Sequence, residues 1–294
     1  MKHPDYNSPL ELKNILDANG FSMQKKFGQN FLINQAARQK LVDALELEEG
    51  MTVWEVGPGL GAMTSEILNR GACLTAFEID RGFSSLIKDF FKDYLERGTF
   101  SVIDGDVLKT WYNQTEKGTK LPKRFFGNLP YNIAATIIAD TIEKGIRFER
   151  CVFTVQKEVA LRMCAKPGSE QYSSLSVLCN WTYDVKPLMD LAGASFWPKP
   201  NVDSRAVVFT KKQNFPVCNE PFHFIKLQRA LFSSRRKTVR NNLQGFMKDS
   251  TAVQECLSLA QIDPMLRAEV LTIEQMLRLS DIVYNFNKNK DANK

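Results

Sequence analysis

The sequence predicts an α/β fold in which a Rossmann-like, doubly wound parallel sheet is followed by a small all-helical domain. Short apolar strands alternate with amphipathic helices from residue 52 to residue 156, a pattern typical of parallel sheets. A glycine-rich turn, GPGLG, follows the first of these strands. After Pro216 and Pro221 the apolar spacing is helical throughout. A chain of 294 residues is long enough for one large domain and a smaller one.

The first part of the chain contains the strands of the predicted sheet. A helix starts after Asn34, whose side chain suits an N-cap, and stops before Gly50. The pattern predicts strands at 52–56, 73–80, 99–106, 124–128 and 150–156, with helices up to Asn69 and at 84–96, 133–144 and 157–165. The apolar stretches at 175–191 and 204–212 predict a late antiparallel hairpin.

The second part is predicted to be helical, with helices at 222–234, 238–247, 252–260 and 272–286. The polar residues 287–294 predict a disordered tail. We therefore expect three parts: a polar N-terminal lead-in over 1–24, a ligand-binding α/β domain over 25–213, and a helical domain over 214–294.

Composition argues against several classes of protein. No apolar run approaches the ~18 residues of a membrane span, and the N-terminus lacks the apolar core of a secretion signal. We therefore expect a cytoplasmic protein without membrane contact. Six scattered cysteines form no C-x-x-C pair, which indicates reduced thiols rather than zinc ligands or disulfides. Because there are only two histidines, His3 and His223, we expect neither histidine-dependent acid–base catalysis nor a metal site.

The turn after the first strand predicts a nucleoside-containing ligand. Gly57 and Gly59 would let the backbone turn sharply and leave room for a ligand to lie against it. With Ala62 they also fit the loose G-x-G-x-x-[G/A] dinucleotide fingerprint. The sequence is therefore compatible with NAD and with S-adenosylmethionine, and Pro58 together with the lack of redox signatures favours S-adenosylmethionine.

Carboxylates at the ends of the next two strands are candidate ligand acceptors. Glu78 lies 21 residues after Gly57, the place and spacing of a residue that accepts from ribose hydroxyls. Asp80 is a nearby competitor for this role. Asp106 closes the third strand and suits an adenine amino group, with Asp104 as its competitor.

Two amide-bearing motifs add further candidates. Asn30, in KKFGQNFLIN, could hydrogen-bond the amino-acid end of the cofactor; the alternative is that this stretch is only a loop with an N-cap. In NLPY, Asn128 and the carbonyl of Leu129, held outward by Pro130, would accept both hydrogens of an exocyclic amine. Tyr131 would stack on the ring that carries this amine. On the following strand, Phe153 has two interpretations: a stacking face opposite Tyr131, or core packing.

A basic block lies in the predicted helical domain. From Pro221 to Lys248 there are seven Lys or Arg and no acidic residue, in a chain of net charge +6. Unrelieved positive charge of this kind suits phosphate contacts. The candidate RNA-binding residues are Lys226, Arg229, Arg235, Arg236, Lys237 and Arg240.

From about Lys25 to Leu279 the chain resembles the small-subunit ribosomal RNA adenine dimethyltransferase family. The resemblance rests on seven motifs in order: KKFGQNFL, EVGPGLGAMT, FEID, GDVL, FGNLPYNI, VQKEVALR and RRKTVRNNL. It implies S-adenosylmethionine bound by Asn30, Leu32, Gly57, Glu78, Asp106 and Asn128. It also implies dimethylation at N6 of two adjacent adenines in a hairpin near the 3′ end of the RNA, during ribosome biogenesis. The family loop FxPxPxVxS is present as FWPKPNVDS, with Trp197 and Lys199 in place of other residues.

Several alternatives stay open at this point. A related enzyme type methylates large-subunit RNA and confers antibiotic resistance; it would share the α/β half and differ in the helical domain. A checking protein of ribosome assembly would have lost catalysis, which the intact NLPY and GPGLG motifs argue against. An NAD-dependent oxidoreductase lacks support from NLPY. The partners expected from the resemblance are small-subunit RNA or its precursor particle, bound by a monomer.

Overall fold

The computed structural model describes residues 3–21, 30–114, 121–129, 134–214 and 216–292. The strands are β1 (Phe31–Leu32), β2 (Thr52–Val56), β3 (Cys73–Glu78), β4 (Phe100–Asp104), β5 (Arg124–Asn128), β6 (Arg150–Gln156), β7 (Tyr183–Leu191), β8 (Phe196–Trp197) and β9 (Ser204–Lys211). The helices are α1 (Pro9–Ala18), α2 (Gln35–Asp43), α3 (Ala62–Leu68), α4 (Arg81–Phe90), α5 (Lys92–Glu96), α6 (Val107–Thr110), α7 (Ala134–Glu143), α8 (Lys157–Cys164), α9 (Ser174–Thr182), α10 (Pro221–Leu231), α11 (Val239–Met247), α12 (Ser250–Leu259) and α13 (Ile273–Ala292).

Seven strands form the main sheet in the order β4-β3-β2-β5-β6-β9-β7. The pairs from β4 through β6 are parallel, and β9 pairs antiparallel with β6. The chain moves outward from β2 to β3 and β4, then returns to the other side of β2 with β5. This reversal creates a switch point between β2 and β5, where open α/β sheets bind ligands outside the carboxyl ends of their strands.

The two faces of the sheet are covered by different apolar groups. Side chains alternate along a strand, so Phe125 and Phe126 of β5 point to opposite faces. Phe126 belongs to the main core cluster with residues of α2, α3 and α4. Phe125 packs among other rings, with its centroid 4.7 Å from that of Phe148 and 5.0 Å from that of Phe153. Both faces of the sheet are therefore buried, which explains why the sequences of its strands are continuous apolar runs.

Most predicted elements are present, and two predictions are wrong. Residues 174–182 form a helix rather than strand, because their apolar run is buried on all sides and shows no period. Ser176 Oγ accepts from Ser173 N at 3.0 Å at the start of this helix. The tail predicted to be disordered continues α13 as far as Ala292, where Lys290 pairs with Asp249 at 2.9 Å.

The chain groups by packing into two compact units. The first comprises Met1–Asp140, Arg147–Ala160 and Val185–Lys211, and the second comprises Thr141–Ile146, Leu161–Asp184 and Lys212–Lys294. The second unit thus includes Thr141–Ile146 and Leu161–Asp184 in addition to the C-terminal part of the chain. No single boundary in the sequence therefore divides the two units. The boundaries predicted at residues 24 and 213 stay predictions.

The second unit is built from helices around large buried side chains. The Trp181 ring lies edge-on to Phe224, with centroids 4.8 Å apart, and its Nε1 donates to Pro216 O at 2.8 Å. Among the helices that the structure describes, none is long and apolar enough to cross a bilayer. The described side chains also form no His, Cys, Asp and Glu cluster suited to a metal ion.

Candidate active site at the carboxyl ends of the strands

The glycine-rich turn joins β2 to α3 and forms the floor of a cleft. Gly59 adopts φ +57°, and a Cβ at this position would lie 3.0 Å from Phe31 Cε1. Any other residue at position 59 would therefore be strained by the left-handed backbone, and its side chain would crowd the Phe31 ring. Gly57 N donates to Phe77 O at 3.0 Å, which fastens the turn to β3. Gly57, Pro58 and Gly59 of this turn line the cleft.

Glu78 ends β3 inside the cleft. Its carboxylate is 5% exposed and accepts from Gly59 N at 3.1 Å and from Asp80 N at 2.9 Å. Burial raises the pKa of Glu78 to about 7, against the lowering effect of these two hydrogen bonds. Its competitor Asp80 instead caps α4, accepting from Gly82 N at 2.8 Å. The geometry therefore favours Glu78 over Asp80 as an acceptor for a bound ligand.

Asp106 and Asp104 differ in that only Asp106 is among the residues that line the cleft. Asp106 caps the short helix α6, accepting from Leu108 N at 3.0 Å, and lines the cleft. Asp104 lies on the exposed side, where Ser84 donates to it and Lys88 pairs with it at 2.9 Å. The Ser84 hydrogen bond, with Lys88 adding to it, holds the pKa of Asp104 below its usual range. The geometry favours Asp106 here.

The amide of Asn128 closes the cleft at the end of β5. Asn128 Nδ2 donates to Asn30 O at 3.1 Å, so two motifs distant in sequence meet at this point. Among the residues that the structure describes, no group donates to Asn128 Oδ1. This oxygen is therefore available to accept a hydrogen bond from a bound ring. Leu32, which the resemblance also implicates, lines the same cleft.

Leu129 is folded back over β5. Its backbone N donates to Thr154 O at 3.1 Å, and its side chain occupies the space that a Cβ on Gly127 would need, only 2.5 Å from Leu129 Cδ2. Gly127 is therefore required for this arrangement. Pro130 and Tyr131 lie outside the described residues, so their predicted roles stay predictions.

Phe153 is placed in the core. Its ring is 1% exposed and lies edge-on to Phe125 and Phe209, with centroid distances of 5.0 and 5.4 Å. It does not line the cleft. This geometry favours core packing, and the stacking role predicted for Phe153 gains no support from it.

The cleft that these residues share has an empty volume of about 1010 Å³, including its open mouth. It has apolar walls and few polar groups. Lining residues that the sequence analysis did not single out for this cleft include Phe31, Glu55, Met63, Phe77, Ile79 and Phe83. Ile79 is 48% exposed and directly follows Glu78. The signal available in the sequence was an apolar residue next to a strand-end carboxylate.

Glu55 is a buried carboxyl beneath the glycine-rich turn. It is 1% exposed and accepts from Thr64 Oγ1 at 2.7 Å. Burial, together with the nearby Glu78 carboxyl, raises the pKa of Glu55 to about 8 against the lowering effect of the Thr64 hydrogen bond. Glu55 is therefore largely protonated at neutral pH in this structure.

The basic block lies on α10, on α11 and on the turn between them, in the second unit. Asn242 holds this turn: its Nδ2 donates to Leu231 O at 2.7 Å and to Ser234 O at 3.0 Å. Arg229 forms an ion pair with Glu143, and Arg235 pairs with Glu269 at 3.2 Å. The other four candidate RNA-binding residues are exposed and, within the described ranges, make no ion pair: Lys226, Arg236, Lys237 and Arg240.

The sequence model of the family described as ribosomal RNA adenine dimethylase matches residues 20–285. The chain belongs to the ribosomal RNA adenine dimethylase family. A relative from Treponema denticola, named ribosomal RNA small subunit methyltransferase A, is 48% identical over 283 residues, covering 95% of this chain and 96% of that protein. A protein of the same name from Bacillus pumilus is 35% identical over 293 residues, covering 95% and 97%.

Solved structures confirm the methyltransferase fold of this dimethylase family member. A dimethyladenosine transferase from Plasmodium falciparum superposes with a TM-score of 0.67 at 24% identity, covering 87% of this chain and 97% of the other. The 23S rRNA methyltransferase ErmE gives 0.62 at 21% identity, covering 86% and 99%. The Rossmann-like sheet with a helical C-terminal part is thus confirmed.

Family membership makes the chain an S-adenosylmethionine-dependent ribosomal RNA adenine dimethyltransferase. The residues present fit that cofactor. Gly57 and Gly59 line the cleft without side chains, and the carboxylates of Glu78 and Asp106 in the same lining would offer acceptors to ribose hydroxyls and to an adenine amine. The apolar walls suit a flat ring. The NAD alternative considered from the glycine pattern is thereby set aside.

Proposed function

We propose that this dimethyltransferase methylates N6 of two adjacent adenines in a hairpin near the 3′ end of small-subunit ribosomal RNA. Relatives that match nearly the whole chain at 35–48% identity are named ribosomal RNA small subunit methyltransferase A. The 23S rRNA methyltransferase ErmE is only 21% identical. The large-subunit alternative and the non-catalytic checking protein are therefore disfavoured.

The observation that carries the catalytic proposal is the position of Asn128. Its Oδ1 lies at the carboxyl end of β5, beside the glycine-rich turn, and accepts nothing from the described part of the chain. The Leu129 carbonyl follows directly. Together these two oxygens would accept both hydrogens of the adenine amine.

This pair of acceptors acts on a weak nucleophile. The lone pair of adenine N6 is delocalised into the ring, and hydrogen bonds to Asn128 and Leu129 would hold the N–H bonds out of the ring plane. The lone pair then points along one direction. When bound, S-adenosylmethionine supplies an electrophilic methyl group. The contribution of the chain is orientation, with reacting atoms held at ~3–3.5 Å.

No strong base is required by this proposal. The methylated ammonium is acidic and releases its proton to solvent once the methyl group has transferred. His3 and His223 do not line the cleft, which agrees with a reaction that uses no histidine. The adenine must leave its stack to reach the cleft, at a cost of a few kcal/mol.

We assign cofactor contacts to Asn30, Leu32, Gly57, Gly59, Glu78, Asp106 and Asn128. All seven line the cleft. RNA contacts are assigned to the basic block, most directly to Lys226, Arg236, Lys237 and Arg240. We further propose that the substrate is the assembling small subunit, and that the enzyme acts in the cytoplasm as a monomer.

The experiment is single-turnover methylation with RNA and S-adenosylmethionine both saturating. We expect Asn128→Ala to lower the methyl-transfer rate on the order of 10²-fold, because one amine hydrogen loses its acceptor. Cofactor affinity is measured separately by calorimetry. A folded Asn128→Ala protein that transfers methyl at the parental rate would show that NLPY is only a turn.

A further inference from the structure

The loop FWPKPNVDS and the segment that carries Asn30 are joined by a short ribbon. β8 pairs antiparallel with β1, with Trp197 opposite Phe31 and Phe196 opposite Leu32. Ile33 N also donates to Ser195 O at 2.9 Å. Backbone pairing therefore places the Trp197 indole next to the Phe31 ring.

The Phe31 ring is enclosed on three sides. Trp197 stacks on it with a centroid distance of 6.2 Å and an interplanar angle of 25°. Phe83 meets it edge-on at 5.7 Å, and the turn at Gly59 approaches it so closely that a Cβ there would lie 3.0 Å from Phe31 Cε1. The Phe31 ring is only 8% exposed. It lies between the Trp197 indole and two residues that line the cleft, Gly59 and Phe83.

Two groups of the proposed reaction centre depend on this segment. Gly59 N, beside the Phe31 ring, donates to Glu78 Oε2 at 3.1 Å. Asn30 O, one residue before Phe31, accepts from Asn128 Nδ2 at 3.1 Å. A displacement of Phe31 would therefore reach both the ribose acceptor and the catalytic amide.

The loop itself is held closed near the indole. Gly193 leaves space for the stem of Lys199, because a Cβ on Gly193 would lie 2.9 Å from Lys199 Cε. Pro200 is buried. Trp197 thus projects from a loop that is fixed on both sides of it.

We propose that Trp197 is a positioning residue: its indole holds Phe31 against the glycine-rich turn and so aligns Glu78 and Asn128. This inference rests on the proposed function for the role of Asn128, and on the cleft alone for cofactor binding. Trp197 touches neither reactant in this role. Its effect passes through Phe31, and it requires a flat apolar face rather than the indole N–H.

The test compares Trp197→Ala, Trp197→Leu and Trp197→Phe with a control in the same loop, Val202→Ala, whose side chain is 45% exposed. Two quantities are measured: S-adenosylmethionine affinity by calorimetry without RNA, and the single-turnover methyl-transfer rate with both ligands saturating. We expect Trp197→Ala and Trp197→Leu to weaken cofactor affinity about three- to tenfold, the effect of losing one aromatic pair, and to slow transfer. Trp197→Phe should restore both within about twofold.

The outcomes separate positioning from stability alone. Unchanged cofactor affinity in a folded Trp197→Ala or Trp197→Leu protein, with lower RNA affinity only, would overturn the proposal. Equal losses of cofactor affinity and of transfer rate in Trp197→Phe and Trp197→Leu would also overturn it. Should Trp197→Ala not fold, the Leu and Phe pair decides. Failure of the proposed function would look different: the unsubstituted enzyme would not methylate small-subunit RNA, whereas the calorimetric comparison needs no RNA.

Discussion

Glu78 is the buried carboxyl group of the candidate cofactor cleft. It is buried at the end of β3, with backbone N–H groups from Gly59 and Asp80 on its oxygens. Burial raises its pKa to about 7, while the hydrogen bonds favour the charged form. At neutral pH the group lies near its midpoint, and its acceptor strength is therefore sensitive to pH.

Replacing Glu78 should weaken S-adenosylmethionine binding. At pH 8, where the carboxylate is charged, we expect Glu78→Ala to cost roughly 1.5–3 kcal/mol of binding free energy, the size of a charge-assisted hydrogen bond. Affinity of the unsubstituted enzyme should also fall as pH decreases through about 7, and less so in Glu78→Gln. Isothermal titration calorimetry measures both.

Asp104→Ala provides the control for this prediction, because Asp104 also ends a neighbouring strand but pairs with Lys88 on the exposed side. Its cofactor affinity should match that of the unsubstituted enzyme. Equal affinity in Glu78→Ala would remove Glu78 from the site.

The arrangement of elements explains which parts of the site were predictable. The glycine-rich turn and the apolar runs that alternate with amphipathic helices locate β2 to β5 in the sequence. Parallel pairing then brings the carboxyl ends of these four strands together. That topology places Glu78, Asp106 and Asn128 at the same edge of the sheet. The competitors Asp80 and Asp104 could not be excluded from the sequence. Asp80 caps α4 and Asp104 pairs with Lys88, and both contacts are visible only in the structure.

Other features could not be predicted, for physical reasons. The ribbon of Phe31 and Trp197 pairs two residues with two residues, which is too short to show a period. The ion pairs of Arg229 and Arg235 join residues far apart in sequence. Helix α9 was predicted as strand because a short, fully buried apolar run carries no periodic signal.

At the turn between α10 and α11, salt dependence should reveal the RNA contacts. We expect the triple variant with Arg236, Lys237 and Arg240 changed to Ala to flatten the slope of log affinity against log salt. Three lost phosphate contacts correspond to about 2 units of slope. Fluorescence anisotropy with a small-subunit RNA hairpin measures this slope, and cofactor affinity should not change.

The control removes the same charge elsewhere. Lys13, Lys40 and Lys186 are exposed and lie outside the basic block; their triple Ala variant should keep most of the slope. If both triple variants flatten it equally, the effect is one of net charge, and the basic block is an ordinary solvated surface.

For the whole molecule, buried carboxyls predict a stability that decreases with rising pH. The pKa of Glu55 is about 8 in the folded state and 4.5 in the reference state, so the folded protein binds the proton more tightly. This stabilising contribution is complete below about pH 4.5 and is lost as pH rises through about 8. Its full size is on the order of a few kcal/mol.

Urea denaturation of the ligand-free enzyme at pH 6, 7 and 8.5 tests this prediction. Glu55→Gln keeps an acceptor for Thr64 Oγ1 but cannot ionise, so its free energy of unfolding should fall less with pH and exceed that of the parent at pH 8.5. Glu78 titrates with the same sign, so some dependence should remain. Parallel pH profiles for parent and variant would contradict a raised pKa at Glu55.

The central claim is that this molecule methylates adenine N6 in small-subunit ribosomal RNA from the cleft at the strand ends. The most direct measurement incubates the enzyme with isotope-labelled S-adenosylmethionine and unmethylated small or large subunits, then maps the label by nuclease digestion and mass spectrometry. We predict N6,N6-dimethyladenosine at two adjacent adenines of the small-subunit RNA, with little label from Asn128→Ala. Label confined to large-subunit RNA, or absent from both, would contradict the claim.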